Sequence, residues 1–79
     1  MNKPDVLQTW TIFRHPRDYP NSYVVRRFDI VPGSREPVPS MYPHAIGPTL
    51  EAVRQTIPPG LMRFDRHPMD EPQIVEIWM

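Results

Sequence analysis

Twelve prolines in 79 residues constrain this chain more than any other feature of its sequence. Proline fixes the backbone φ angle and has no amide hydrogen, so it ends strands and helices more often than it continues them. The prolines cluster between apolar runs, and they therefore divide the chain into short elements. The chain has no cysteine. We expect a single domain over residues 1–79 that is stabilised by packing, without disulfides or thiolate metal sites.

Four runs of residues predict an antiparallel sheet. Residues 8–13 and 23–30 are rich in β-branched and aromatic side chains, which is typical of strands. Residues 61–64 and 74–78 predict a second pair, and we expect Trp78 to belong to the core. Each pair is joined by a segment that contains two prolines, so both pairs are predicted to be hairpins.

One helix is predicted between the two hairpins, over residues 50–57. Thr49 is a suitable N-cap, and Leu50, Val53 and Ile57 recur at a helical spacing. Pro58 then ends the helix. The predicted fold class is α+β, with the order ββαββ, about four antiparallel strands and one short helix packed on one face.

Three further segments have a predicted character. Residues 1–7 are expected to be flexible, and residues 32–48 form a long proline-rich loop. The pattern R-H-P-x-D-x-P occurs at residues 14–20 and again at residues 66–72. The repeat predicts that the two hairpins use the same connection.

Charge and motif content exclude several classes of function. Nine basic side chains balance nine acidic ones, so no overall field draws the protein to nucleic acid or to an anionic membrane. The first 35 residues are net positive and the remainder net negative, which favours ion pairs between the halves. No nucleophile motif or glycine-rich phosphate loop is present. We expect no enzymatic activity and no cofactor, in a soluble cytoplasmic protein that spans no membrane.

The repeated loops contain two histidines and two aspartates, and these could hold a divalent metal only if the loops met. Their spacing matches no metal-binding pattern. We therefore favour roles in stabilising turns over a metal site. The residues are His15, Asp18, His67 and Asp70.

Two consecutive arginines, Arg26 and Arg27, point to opposite faces of the second strand because side chains alternate. Val24, Phe28 and Ile30 share the face of Arg26. We expect one arginine to be paired internally, with Glu76 or Asp65, and the other to be free for binding. This arrangement supports an alternative function, the binding of nucleic acid or another anionic ligand.

The proline-rich loop is the best candidate for a protein-binding surface. It is long and stiffened by prolines, and it carries Arg35, Tyr42 and His44. Stiffness lowers the ordering cost of association. A second interpretation is that Met41, Tyr42 and Ile46 cover the sheet edge.

Several segments together resemble a family of small uncharacterised bacterial proteins that phages and other mobile elements also carry. The matching segments are W-T-I-F, P-x-D-x-P, V-V-R-R-F, L-E-A-V-R and D-E-P-x-I-V-E-I-W. Some mobile-element proteins of this size, anti-CRISPR proteins among them, block host complexes stoichiometrically. The resembling family has no assigned activity, and the similarity in size and source to such inhibitors leads us to expect a non-catalytic, protein-binding inhibitor of a bacterial protein complex. The sequence leaves open whether the protein is a monomer or a homodimer, since an open sheet has two free edges.

Overall fold

The computed structural model describes residues 6–79. The predicted flexible segment 1–7 lies mostly outside this range, and Leu7 is the first residue of a strand. The described elements, in chain order, are β1 (Leu7–Arg14), β2 (Tyr23–Ile30), β3 (Val38–Pro39), β4 (Ala45–Gly47), α1 (Leu50–Arg54), β5 (Arg63–Asp65) and β6 (Ile74–Trp78).

The strands form one antiparallel sheet of six strands with one short helix. Its order is β3-β2-β1-β6-β5, and β4 also pairs with β2. The prediction of an antiparallel sheet in an α+β domain is confirmed, whereas the count of about four strands and the order ββαββ are wrong. The two additional strands, β3 and β4, lie inside the stretch predicted as a loop. Both add to the free edge of β2, where Pro39 is tolerated because edge strands need fewer amide donors.

The helix begins where predicted and ends earlier. The Thr49 side chain accepts a hydrogen bond from the backbone amide of Ala52 at 3.1 Å, as an N-cap does. The helix ends at Arg54, and two tighter turns follow, in which Thr56 and Ile57 donate to carbonyls three residues earlier. The prediction of residues 50–57 therefore extends one turn too far. These tighter turns change the direction of the chain before Pro58.

The helix covers one face of the sheet, which we call the helix-side face. Trp10, Ile12 and Val25 from β1 and β2 pack there with Val53 from α1, and each of these residues is buried. Trp78 packs against this cluster from β6, as predicted. The hydrophobic core of the domain therefore lies between the helix and the two central strands.

The opposite face of the sheet, which we call the open face, is also largely apolar. The β1–β2 register places Phe28 and Ile30 on this face, opposite Thr9 and Leu7. Val24, Phe28 and Ile30 do share a face, but it is not the face that packs on the helix. Within residues 6–79, no helix or strand packs over this surface. Its side chains are Leu7, Thr9, Thr11, Phe13, Val24, Arg26, Phe28, Ile30, Pro39, Ile46, Met62, Phe64, Ile74, Ile77 and Met79.

The two R-H-P-x-D-x-P loops have different structures, so the prediction of a shared connection is wrong. In the second loop the Asp70 carboxylate accepts a hydrogen bond from the backbone amide of His67 at 2.9 Å. In the first loop the Asp18 carboxylate instead accepts from the Arg26 guanidinium, and His15 has a positive φ of 48°. The same aspartate position thus stabilises a turn in one loop and an ion pair in the other.

Candidate functional site: the 40–44 loop

Residues 40–44, which we call the 40–44 loop, join β3 to β4 and are held against β2 at both ends. The Ser40 amide donates to the Arg27 carbonyl at 2.9 Å, and the His44 amide donates to the Val25 carbonyl at 2.7 Å. Because two neighbouring strands flank it, the loop is short and its ends are fixed. Residues 41–43 therefore protrude beyond the edge of β2 as a loop tip whose backbone is already ordered.

The tip of this loop carries two large, exposed apolar side chains. Met41 is 83% exposed and Tyr42 is 75% exposed. The Ser40 hydroxyl donates to the Tyr42 carbonyl at 2.8 Å, which further fixes the backbone of the tip. The interpretation that Met41 and Tyr42 cover the sheet edge does not fit these exposures. Both side chains face solvent from a constrained backbone.

His44 anchors the loop from the other side. One ring nitrogen, Nε2, lies 2.9 Å from the Thr56 carbonyl. The ring also stands edge-on to Trp10, with 6.2 Å between ring centroids. Both contacts tie the loop to the helix-side core. His44 is nevertheless exposed, so its role as a partner-binding residue stays a prediction, with its ring held in place by these two contacts.

Arg35 lies in the turn before β3. The amide of Ser34 donates to the Val31 carbonyl at 3.0 Å, and its hydroxyl donates to the Glu36 carbonyl at 2.9 Å. Gly33 has a φ of 85°, which glycine adopts without strain. Arg35 is exposed on this turn. It is therefore placed on the same proline-rich stretch as the 40–44 loop.

The paired arginines point to opposite faces, as predicted, but both lie against carboxylates. Arg26 donates to Asp18 at 2.6 Å on the open-face side. The Arg27 Nε atom lies 3.2 Å from an Asp29 oxygen on the helix-side face. The expected partnership of one arginine with Glu76 or Asp65 is wrong, and neither arginine is left without a carboxylate.

The two R-H-P-x-D-x-P loops come close together beside Arg26. Residues from both loops line a cavity of about 450 Å³, whose lining residues are Phe13, Pro16, Arg17, Asp18, Arg26, Glu71 and Gln73.

A buried ion pair on the helix-side face was not predicted. Glu76 is only 2% exposed, and Arg54 holds its carboxylate with two hydrogen bonds of 2.7 and 2.9 Å. The indole nitrogen of Trp78 donates to the same carboxylate at 3.1 Å. The hydrogen bond from Arg54 lowers the pKa of Glu76, while burial acts in the opposite direction. The same contact raises the pKa of Arg54.

The ion pairs do not join the two halves of the chain. Among residues 6–79, every ion pair joins two residues of the same half: Arg26 with Asp18, Arg27 with Asp29, Arg54 with Glu51 and Glu76, and Arg63 with Glu76. The expected pairing between a positive first half and a negative second half is therefore wrong. Each half neutralises part of its own charge.

The described residues contain neither a cluster of metal-ligating side chains nor a helix that could span a membrane. No three His, Asp or Glu side chains come together there as a metal site. No helix in that part is long and apolar enough to cross a bilayer. The histidines instead make local contacts: His15 stands edge-on to Tyr23 with 5.5 Å between ring centroids, and a ring nitrogen of His67 accepts from the Met69 amide at 3.1 Å.

Comparison of the chain with protein-family models, with curated proteins and with solved structures finds no match.

Proposed function

We propose that this protein is a non-catalytic protein-binding module whose partner docks on the 40–44 loop, as an inhibitor of a bacterial protein complex would. The observation that carries the proposal is the pair Met41 and Tyr42, which are 83% and 75% exposed on a loop that is fixed at both ends. Tyrosine and methionine are enriched in protein interfaces, and tyrosine is over-represented among the residues that contribute most of the binding energy.

The fixed ends of the loop favour binding because they reduce the entropy lost on association. A flexible segment must be ordered when it binds, at a cost of about 0.5–1.5 kcal/mol for each immobilised side chain and more for the backbone. The hydrogen bonds of Ser40 and His44 to β2 order the backbone of this loop before any partner arrives. Arg35 adds a guanidinium group, which can donate two parallel hydrogen bonds to a carboxylate of the partner.

The alternative, an arginine-led site for nucleic acid or another anion, has weaker support. Arg26 and Arg27 each lie against a carboxylate, so an anionic ligand would have to compete with Asp18 and Asp29. The cavity beside Arg26 mixes two arginines with two carboxylates. This balance of charge is not typical of a phosphate-binding surface.

The test is affinity capture from cells that carry the gene, with nuclease-treated lysate. Tyr42→Ala, Met41→Ser and Arg35→Ala should each reduce the recovery of a stoichiometric protein partner while leaving the circular dichroism spectrum unchanged. Met69→Ser is the matched control, because Met69 is 86% exposed but lies in the loop between β5 and β6. Equal recovery by all four variants would remove the 40–44 loop from the interface. A partner that is recovered from untreated lysate but not from nuclease-treated lysate would favour the nucleic-acid alternative.

A further inference from the structure

The open face of the sheet presents apolar side chains that nothing in the described chain covers. Leu7, Ile30, Met62, Phe64 and Met79 are 50%, 40%, 67%, 43% and 37% exposed. With Ile46 of β4, which is 47% exposed and pairs with Val24, they account for six of the eleven large apolar side chains that the described residues expose. Contiguous apolar patches of this kind are uncommon on monomers and mark interaction sites.

The face has a furrow along its centre. Thr9 and Thr11 of β1 are only 6% and 5% exposed, although no element packs over them, because larger side chains stand on both sides. Phe28 of β2 forms one wall and Ile77 of β6 forms part of the other. The face is therefore a small-residue furrow between two ridges: the β6 ridge is apolar, and the β2 ridge is apolar except at Arg26, which stands beside Thr11. The β6 ridge has the shape that such a furrow accepts.

We propose that the occupant of the open face is a second copy of this chain, packed face to face as a two-layer sandwich. A two-fold axis parallel to the strands, between β1 and β6, places β6 of each copy over β1 of the other. Ile77 then fills the threonine furrow of the partner copy. Because this axis keeps each residue at its level along the strands, Phe28 on β2 meets Met62 beside β5 of the partner copy, and Arg26 meets Phe64. Ile30 lies one step beyond Phe28, diagonal to Met62. Sheets packed in this way keep their strands within about 30° of one another.

The charge of the face favours a second copy over a charged partner. Arg26 is the charged side chain on the open face of β2, and Asp18 already neutralises it. A face whose charges are paired within the chain has no net charge to complement a charged surface, but it packs readily on a second copy of itself. The segment 1–5, Met-Asn-Lys-Pro-Asp, contains a single large apolar side chain and does not match this surface.

The area of the face fits a weak dimer. The flat area of the face is about 400 Å², for four strands spaced about 4.8 Å apart and three rows of side chains about 6.6 Å apart. The side chains make the accessible surface larger than this flat area. When the uneven surface of the side chains and the edge of the contact are included, two such faces bury about 1,000 Å² of accessible surface in total. This area is the lower limit for a specific interface. We therefore expect a dissociation constant on the order of 100 μM, because area at this limit leaves little surplus over the cost of association.

The first test uses the methionines as native probes. Methyl-labelled protein is followed by NMR as its concentration rises, with its mass measured by sedimentation. The resonances of Met62 and Met79 should shift as the mass increases, while those of Met41 and Met69, which lie off the face, should stay fixed. A protein that remains monomeric at millimolar concentration overturns the proposal. A dimer that shifts Met41 or Met69 and leaves Met62 and Met79 unchanged also overturns it.

The second test distinguishes face-to-face packing from pairing of β5 edges. Ile30→Lys and Met62→Glu should each raise the dissociation constant of the homodimer at least tenfold, and an equimolar mixture of the two should regain association through the introduced opposite charges. Met69→Lys is the control and should leave the constant unchanged. Pairing of β5 edges would be insensitive to Ile30→Lys, since β2 lies three strands away, and that result would overturn the proposal. A monomeric protein would leave the proposal for the 40–44 loop intact, because the two surfaces share no residue.

Discussion

The replacement Arg54→Met should destabilise the domain by about 3 kcal/mol at pH 7. It retains most of the apolar stem of the side chain and removes the guanidinium that holds Glu76. Loss of one partner from a buried ion pair costs about 3–5 kcal/mol, because the remaining charge is left without compensation. The Glu76 side chain is 3% exposed, whereas that of Arg54 is 31% exposed. Solvent access at Arg54, together with Arg63 at 3.9 Å from Glu76 and the hydrogen bond from Trp78 that both remain, places the expected loss at the lower end of that range.

The loss should depend on pH in a defined direction. In the wild-type protein the pKa of Glu76 is lowered, so its contribution to stability is present above the ordinary carboxyl value of about 4.3 and is lost as the pH falls through the lowered folded value. Arg54→Met removes the largest influence that lowers the pKa of Glu76, so this pKa should be higher in the variant than in the wild-type protein. The buried carboxylate then takes up a proton as the pH falls, which relieves the penalty. The difference in stability between the two proteins should therefore shrink between pH 7 and pH 4.

Urea denaturation followed by tryptophan fluorescence measures this difference, and Trp78 reports on the site because its indole donates to Glu76. A domain of this size has a free energy of unfolding of about 4–12 kcal/mol, so a loss of about 3 kcal/mol is a large part of it. Arg35→Met, on an exposed turn, is the control and should change stability by less than about 0.5 kcal/mol. A loss below about 1 kcal/mol at pH 7, or a loss that is the same at pH 7 and pH 4, would refute the reasoning.

Two further replacements test local structure. Thr49→Ala removes the N-cap acceptor of α1 and should cost about 1 kcal/mol in urea denaturation, while Thr49→Ser, which keeps the hydroxyl, should cost much less. Equal losses for the two would argue against the cap. Gly60→Ala should cost about 1 kcal/mol although a Cβ there meets no atom within 4 Å, because the φ of 84° strains an L-residue. An unchanged unfolding midpoint would show that the turn adopts another conformation in solution.

The long strands could be predicted from the sequence because each is a β-branched or aromatic run bounded by turn residues. Residues 23–30 and 74–78 are strands with the bounds predicted. The short strands β3 and β4 could not be predicted in the same way. Each has three residues or fewer, and Pro39 removes a donor from β3. Their pairing is set by the free edge of β2, which is a tertiary feature.

The candidate site shows the same division. The sequence left two interpretations of Tyr42 open, a binding residue on a stiff proline-rich stretch or a cover for the sheet edge, and the 75% exposure of its side chain argues against the second. The anchoring of His44 to Thr56 could not be predicted, since it depends on where the turn after α1 lies. Arg26 or Arg27 was expected to pair with Glu76 or Asp65, whereas Arg54 pairs with Glu76. The alternation of side chains along a strand does not say which face of the sheet packs on the helix. A carboxylate at the centre of an apolar strand was the signal that it needed a buried partner.

Site-specific photocrosslinking tests the proposed function most directly. A photoreactive phenylalanine analogue replaces Tyr42 in one sample and Met69 in another, and both proteins are irradiated inside cells that carry the gene. The two positions are similarly exposed, at 75% and 86%, so random collisions should label them alike. The proposal predicts one dominant protein adduct from position 42 that is absent from position 69. The same faint set of adducts from both positions would contradict it.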